Sequence, residues 1–165
     1  MINIRLAAKD DCLNVFHLSN MDYVRDNSFN TEKIIWENHV QWFEKAIHND
    51  GIKFFIIEDA EFIGQVRLNI DNDNALVSIS ILKEFWHRGI AFQSLQKIMA
   101  ENNYTYLAQV KKNNIPSIKL FESLGFIRQE ENPHADYYDY KKEQTAKEPA
   151  DKKQKGKNNF GSEKS

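Results

Sequence analysis

Between Lys53 and Leu82 the hydrophobic period of the chain is that of strands, three times in succession, and this stretch decides the class of fold. Phe54-Phe55-Ile56-Ile57-Glu58 is β-branched and aromatic, and it ends at the polar break Asp59-Ala60-Glu61. Phe62 to Asn69 reads as the return strand, and Asp71-Asn72-Asp73-Asn74 as a second turn. In Leu76 to Leu82, Val77, Ile79 and Ile81 alternate with Ser78 and Ser80. Three consecutive antiparallel strands are the simplest account.

Helical spacing flanks these strands. Asn3 to Ala7 reads as a short strand, after which Lys9-Asp10-Asp11 supplies acids where a helix can begin, with Leu13, Phe16 and Asn20 following. Tyr23 to Asn30 is polar and reads as a loop or broken helix. A helix over Thr31 to His48 is predicted, with Ile35, His39, Trp42, Phe43 and Ala46 on one stripe and Asn49-Asp50-Gly51 as its stop. After Gly89, Phe92, Leu95, Ile98 and Met99 mark another helix that ends at Asn102-Asn103. Tyr106 to Val110 is a strand. Pro116 suits a first helical turn, Ile118, Phe121 and Leu124 form its buried stripe, and Gly125 is a natural stop. Phe126 to Gln129 and Asp136 to Tyr140 close the sheet. The prediction is one mixed α/β domain over residues 1–140, with a mostly antiparallel central sheet flanked by helices.

Composition narrows the function classes. The single cysteine, Cys12, rules out a disulfide framework and points to a reducing, cytoplasmic setting. No stretch of about 18 apolar residues exists to cross a membrane. From Lys141 on, eight lysines face four acids, so the body is near −6 and the last 25 residues near +4. With Phe160 as its one large apolar side chain, that segment, 141–165, is expected to be a disordered Lys-rich tail. A solvated tail is commoner than a nucleic-acid tether, so nucleic acid is a disfavoured partner. His17, His48, His87 and His134 lack ligand spacing, and no metal is expected.

The chemistry concentrates in Ile79-Ser80-Ile81-Leu82-Lys83-Glu84-Phe85-Trp86-His87-Arg88-Gly89-Ile90-Ala91, a strand that runs through a glycine turn into a helix. Such a turn aims backbone N–H groups at one spot, at the positive end of the helix dipole, and can hold a pyrophosphate. It is neither a Walker loop nor a dinucleotide fingerprint. Read together with Asn114-Ile115-Pro116-Ser117-Ile118-Lys119-Leu120-Phe121-Glu122-Ser123-Leu124-Gly125-Phe126, it resembles the two signature motifs of the GNAT superfamily of acyl-CoA N-acyltransferases. The resemblance covers about 140 residues and implies the GNAT fold, with acetyl-CoA as cosubstrate. It places the coenzyme A pyrophosphate on the backbone at His87, Arg88, Gly89, Ile90 and Ala91, and the pantetheine arm at Asn114, with Ser117 and Phe121 beside it. The thioester carbonyl falls to a backbone N–H at Ile81, with Ile79 one pleat earlier.

Two positions depart from the family pattern. Trp86 stands where the turn opens with arginine or glutamine, a form that some GNAT branches share. Phe121 stands where a tyrosine often protonates the departing thiolate; Tyr104, Tyr106 or water are the substitutes at hand. A thiol pKa near ~8.5 already makes the thiolate a tolerable leaving group.

The remaining roles follow from residue chemistry. His39, on a helix expected to line the acceptor cleft, is the candidate base, although a histidine on an apolar stripe is more often a core residue. Ser80 beside Ser78 can pass a proton through water, and Glu58 is a further candidate. Arg25, Asn27, Ser28 and Arg67 suit a phosphate-bearing, hydroxyl-rich acceptor. The segments Arg25–Asn30, Trp36–Phe43 and Ile63–Leu68 are similar to GNAT proteins acting on 4-amino sugar nucleotides in pseudaminic and related nonulosonic acid biosynthesis. The expected partner is thus a small-molecule amine, such as a sugar nucleotide, and a homodimer is admissible. The acidic body argues mildly for a polyamine or protein N-terminus instead. Phe121 and the lack of an obvious base motivate a non-catalytic coenzyme A-binding module as the third reading.

Overall fold

The computed structural model describes residues 1–143. Its elements run β1 (Asn3–Leu6), α1 (Cys12–Ser19), α2 (Asp22–Asp26), α3 (Trp36–Ile47), β2 (Ile52–Asp59), β3 (Glu61–Asp71), β4 (Asn74–Ile81), α4 (Ile90–Glu101), β5 (Thr105–Lys111), α5 (Ile115–Ser123), β6 (Ile127–Arg128) and β7 (Tyr137–Lys142). One seven-stranded sheet has the order β1-β2-β3-β4-β5-β7-β6, and only β4 and β5 are parallel neighbours. The mixed, mostly antiparallel class is therefore as expected.

Alternation sorts the side chains into two layers. Phe54 and Ile56 of β2 pack against Val15 of α1 and Phe43 and Ala46 of α3. On the opposite face, Val66, Leu68, Val77 and Ile81 meet Leu95 and Ile98 of α4 and Ile118 and Phe121 of α5. Gly64 of β3 makes the central contact possible. A Cβ there would stand 2.4 Å from the Ser80 carbonyl oxygen and 2.8 Å from Ile81 Cδ1, so any side chain would push β4 away.

Several boundaries shift for identifiable reasons. The expected helix over 31–48 starts only at Trp36, because Asn20 fixes Ile34 in place, accepting from its N–H at 2.7 Å and donating to its carbonyl at 3.0 Å. Ile35 is accordingly 60% exposed instead of lying on the buried stripe. The polar 23–30 stretch contains the short helix α2 and then a loop. Lys141 and Lys142, expected in the tail, extend β7 and pair with Leu107 and Tyr106 of β5. The remainder of the expected tail lies outside the described residues. Among the described residues no helix is long and apolar enough to cross a membrane.

Candidate functional site

Strands β4 and β5 pair at Asn74/Thr105, Ala75/Tyr106 and Leu76/Leu107, and then diverge. The alternation of an antiparallel ladder tells which backbone groups are left over. Leu82 N–H donates to Ile63 O at 2.9 Å, so Ser80 and Ser78 bond to β3 while Val77, Ile79 and Ile81 face the gap. On the other side, Lys112 N–H donates to Asp136 O, so beyond the last β4 pair at Leu107 the backbone of Gln109 and the Lys111 N–H face it from β5. The result is a wedge lined by main-chain donors and acceptors.

At the mouth of the wedge, His87 (φ 60°) and Gly89 (φ 72°) both adopt left-handed backbone conformations. Their alternation with Arg88 turns the chain so that α4 starts at Ile90 with no side-chain cap. The first α4 bond runs from Gln93 N–H to Gly89 O, which leaves the amides of Ile90, Ala91 and Phe92 without helical acceptors. No acid occupies the first turn, and the Arg88 guanidinium lies 5.3 Å from the Phe85 ring centroid. The five expected pyrophosphate positions thus share one bend, exposed at His87, Arg88 and Gly89 and buried at the Ile90 side chain, at a dipole end suited to an anion.

Asn114 caps α5, its Oδ1 accepting from Ser117 N–H at 3.3 Å. The cap consumes the Ser117 amide and leaves Asn114 Nδ2 as a donor. Phe121 requires a correction, since it is 4% exposed and packs edge-on against Phe126 at 5.0 Å, so it is a core side chain and not a cofactor contact.

The expected proton carriers fare differently. His39 is 2% exposed, sandwiched among Phe16, Trp36, Trp42 and Phe43, with Nε2 bonded to the Cys12 carbonyl at 3.0 Å. Burial pushes its pKa down, against the opposing backbone bond. It is a core histidine that ties α3 to α1, which corrects the base assignment. Glu58 accepts from Arg5 Nε at 3.0 Å and Nη2 at 3.1 Å, and from Asn3 Nδ2 at 3.1 Å. Those bonds hold its carboxyl below the usual range, and β3 separates its strand from β4, so Glu58 is withdrawn as a base. Ser80 is half-buried and Ser78 exposed, both on the α1/α3 face.

The substitutes for the missing phenol are also excluded by position. Tyr106 is 3% exposed, donates to the Asn102 carbonyl, and has its pKa pushed up to about 12, first by burial and then by Tyr104. Both tyrosines sit at the closed end of the wedge, beside the Thr105 pairing.

Of the four expected acceptor contacts, three are spent on the chain itself. Arg25 donates to Ser19 O at 2.6 Å and Asn30 O at 3.0 Å, Asn27 to Tyr23 O at 2.8 Å, and Ser28 to Val24 O at 2.6 Å. They build the loop after α2. Arg67 alone keeps its guanidinium unpaired, under the Trp42 ring at 5.2 Å. Trp86 was not among the expected contacts, yet its Nε1 donates to the Ile81 carbonyl at the wedge. Indole chemistry signals such a bond only when the acceptor is in view.

A family comparison decides what this wedge belongs to: the acetyltransferase (GNAT) family model matches residues 14–126. The chain belongs to the GNAT acetyltransferase family. Solved structures agree in fold at low identity. A domain from Methanocaldococcus jannaschii DSM 2661 is 24% identical with a TM-score of 0.75, covering 86% of this chain and 97% of its own. The Salmonella typhimurium protein yncA, solved with its cofactor acetyl-CoA, is 17% identical with a TM-score of 0.72 over 86% and 93%. Spermidine N-acetyltransferase from Vibrio cholerae, in complex with CoA and spermine, is 18% identical with a TM-score of 0.72 over 85% and 92%. No curated protein matches in a sequence search. As a GNAT acetyltransferase the chain is an enzyme that uses acetyl-CoA as cosubstrate. Among the described residues no group of three histidine, cysteine or acidic side chains is placed to hold a metal ion.

Proposed function

We propose that this GNAT enzyme transfers the acetyl group directly to the primary amine of a 4-amino sugar nucleotide, both substrates meeting at the β4/β5 wedge. The observation that carries the reading is the outward set of β4 amides at Ile79 and Ile81. Acetyl-CoA brings the acetyl group as a thioester, which an amine can attack without prior activation. The amides of Ile79 and Ile81 lie where they can hold the carbonyl oxygen as it gains charge. The amides of residues 87–91, with Asn114 Nδ2, would fix the nucleotide and its arm, and positioning supplies much of the rate. The neutral amine forms the C–N bond, the C–S bond breaks, and coenzyme A leaves as its thiolate, which takes up a proton from solvent. With His39 and Glu58 committed to the fold, the proton lost by the amine passes to water held at Ser80. Such a reaction belongs in the cytoplasm, in keeping with a lone Cys12.

The acceptor assignment is supported by the likeness of residues 25–30, 36–43 and 63–68 to amino-sugar acetyltransferases. A polyamine is the second reading, favoured by the acid surplus of the body. Incubation with acetyl-CoA and a panel of 4-amino sugar nucleotides, polyamines and peptides, following free thiol, separates them. Turnover confined to amino sugars supports the first reading and turnover confined to polyamines the second. Coenzyme A binding with no turnover would make the chain a binding module.

A further inference from the structure

The sheet face that looks toward α1 and α3 carries polar atoms with nothing to bond. Gln65 and Arg67 occupy that face of β3, opposite Ser80 and Ser78 of β4. Gln65 Nε2 donates to Ser19 Oγ at 3.3 Å, but its Oε1 is buried without a donor. Arg67 Nε is buried without an acceptor, and among the described residues no carboxylate forms an ion pair with its guanidinium. Burial pulls its pKa down, the expected effect on a desolvated cation.

Buried polar atoms are nearly always matched, and a desolvated charge without a partner is costlier still. The contrast within the chain is sharp. Arg5 binds Asp11 and Glu58, Arg25 binds backbone carbonyls, Arg128 binds Glu122 and Tyr140, and Arg88, against the Phe85 ring, is exposed to solvent. Arg67 instead lies beneath Trp42, whose ring covers the guanidinium, and among the described residues its terminal nitrogens make no hydrogen bond. Val66, between Gln65 and Arg67, faces Ile79 across the ladder. The strand that carries the unmatched pair is therefore the immediate neighbour of the strand whose amides aim into the wedge, the two backbones about 5 Å apart.

We propose that Arg67, Gln65 and Trp42 form the acceptor subsite, and that it selects amines whose frame also carries an anion, a carboxylate or a phosphate. The proposal rests on the acetyl-transfer reading and narrows its substrate class. The guanidinium fork pairs with two oxygens of the anion, and Gln65 Oε1 accepts an N–H or O–H from the same molecule. A polyamine, which brings positive charge only, meets a like charge here.

Matched acceptor pairs test this: an amino acid against its carboxamide, and an amino-sugar phosphate against the free amino sugar. Each is assayed by thiol release from acetyl-CoA, with wild type, Arg67→Gln and Arg67→Lys. In wild type the anionic member should show a kcat/KM about 10- to 100-fold higher. The ratio should fall near one in Arg67→Gln and be partly restored in Arg67→Lys. The favoured pair tells carboxylate from phosphate. Equal kcat/KM for both members in wild type, or a preference that survives Arg67→Gln, overturns the subsite. Should no amine turn over, the acetyl-transfer reading falls by itself. Calorimetry of the same anionic amines onto protein saturated with coenzyme A then judges the subsite. Heat that Arg67→Gln abolishes sustains it, and absence of heat overturns it.

Discussion

Trp86 Nε1 donates to the Ile81 carbonyl at 2.9 Å, so the first residue of the glycine turn is tied to the last residue of β4. The indole also meets Tyr23 edge-on at 4.9 Å, and the Tyr23 hydroxyl accepts from Lys83 N–H at 3.1 Å. Together these contacts fix the bend against α2 with neutral groups.

Trp86→Phe keeps a ring beside Tyr23 and deletes the bond to Ile81. It should cost about 1 kcal/mol and lower Tm by roughly 2–5 °C. It should also raise KM for acetyl-CoA, because the bend loses its tether. Thermal melts and initial rates check this; an unchanged Tm would mean the bond adds nothing to the folded state.

Gly89 sits at φ 72°, yet a Cβ there would come no nearer than 4.0 Å to Gln93 Nε2. Any penalty for a side chain is thus conformational, and Gly89→Val should incur about 1–2 kcal/mol, or more for its β-branch. Expressed in binding, this weakens coenzyme A about 5- to 30-fold, whereas Gly89→Asn, tolerant of left-handed backbone, should bind closer to wild type. Unaltered affinity in the valine variant would place the pyrophosphate elsewhere.

Removal of the buried His39 ring in His39→Ala should cost about 2–4 kcal/mol, with kcat of the folded fraction within about twofold of wild type. A free histidine titrates near 6.5, and burial holds His39 below that. The unfolded chain therefore takes up the extra proton first, so this contribution to stability is intact above about pH 6.5 and declines as pH falls toward the folded value. His39→Gln should flatten that limb of a denaturation-versus-pH curve. A large loss of kcat without loss of stability would restore His39 as the base.

Arg5 bridges Asp11, at 2.8 Å through both terminal nitrogens, and Glu58. Although burial raises the pKa of Asp11, the bonds from Arg5 and Ala8 N–H outweigh it and hold the carboxyl low. The stabilisation is present above the unfolded Asp value, about 3.9, and is lost as pH falls through the folded one. Arg5→Ala should cost about 2–3 kcal/mol, at the modest end because the side chain is 38% exposed. Glu58→Gln should leave kcat near wild type, and a collapse in rate would return Glu58 to the chemistry.

The elements were legible because their signals are local. Alternation in Val77, Ile79 and Ile81 fixes which side of β4 is apolar, and Asn114 with Pro116 announces the start of α5. The start of α4 at Ile90 followed from the strand-glycine-helix order around Gly89, whereas the parting of β4 from β5 carries no local signal. Side-chain duties were not legible, since Arg25, Asn27 and Ser28 offer a ligand the same donors that they give to backbone carbonyls. Only the positions of Ser19 O, Tyr23 O and Val24 O decide which of the two they serve. His39 was ambiguous for the same reason, until the Cys12 carbonyl and four aromatic rings came into view.

Three rungs of parallel pairing between β4 and β5 leave the middle of the sheet unfinished. Along such a cleft, among the described residues, the facing backbone groups at Ile79 and Gln109 make no ladder bond to each other, and a guest with amide groups along its length can act as a borrowed strand. Occupancy should then be visible as slowed hydrogen–deuterium exchange at Ile79 and Ile81 of β4, the strand that pairs with the one whose Gln65 and Arg67 choose the guest's partner. On the proposed reading, the cosubstrate that the reaction consumes also completes the architecture of the sheet.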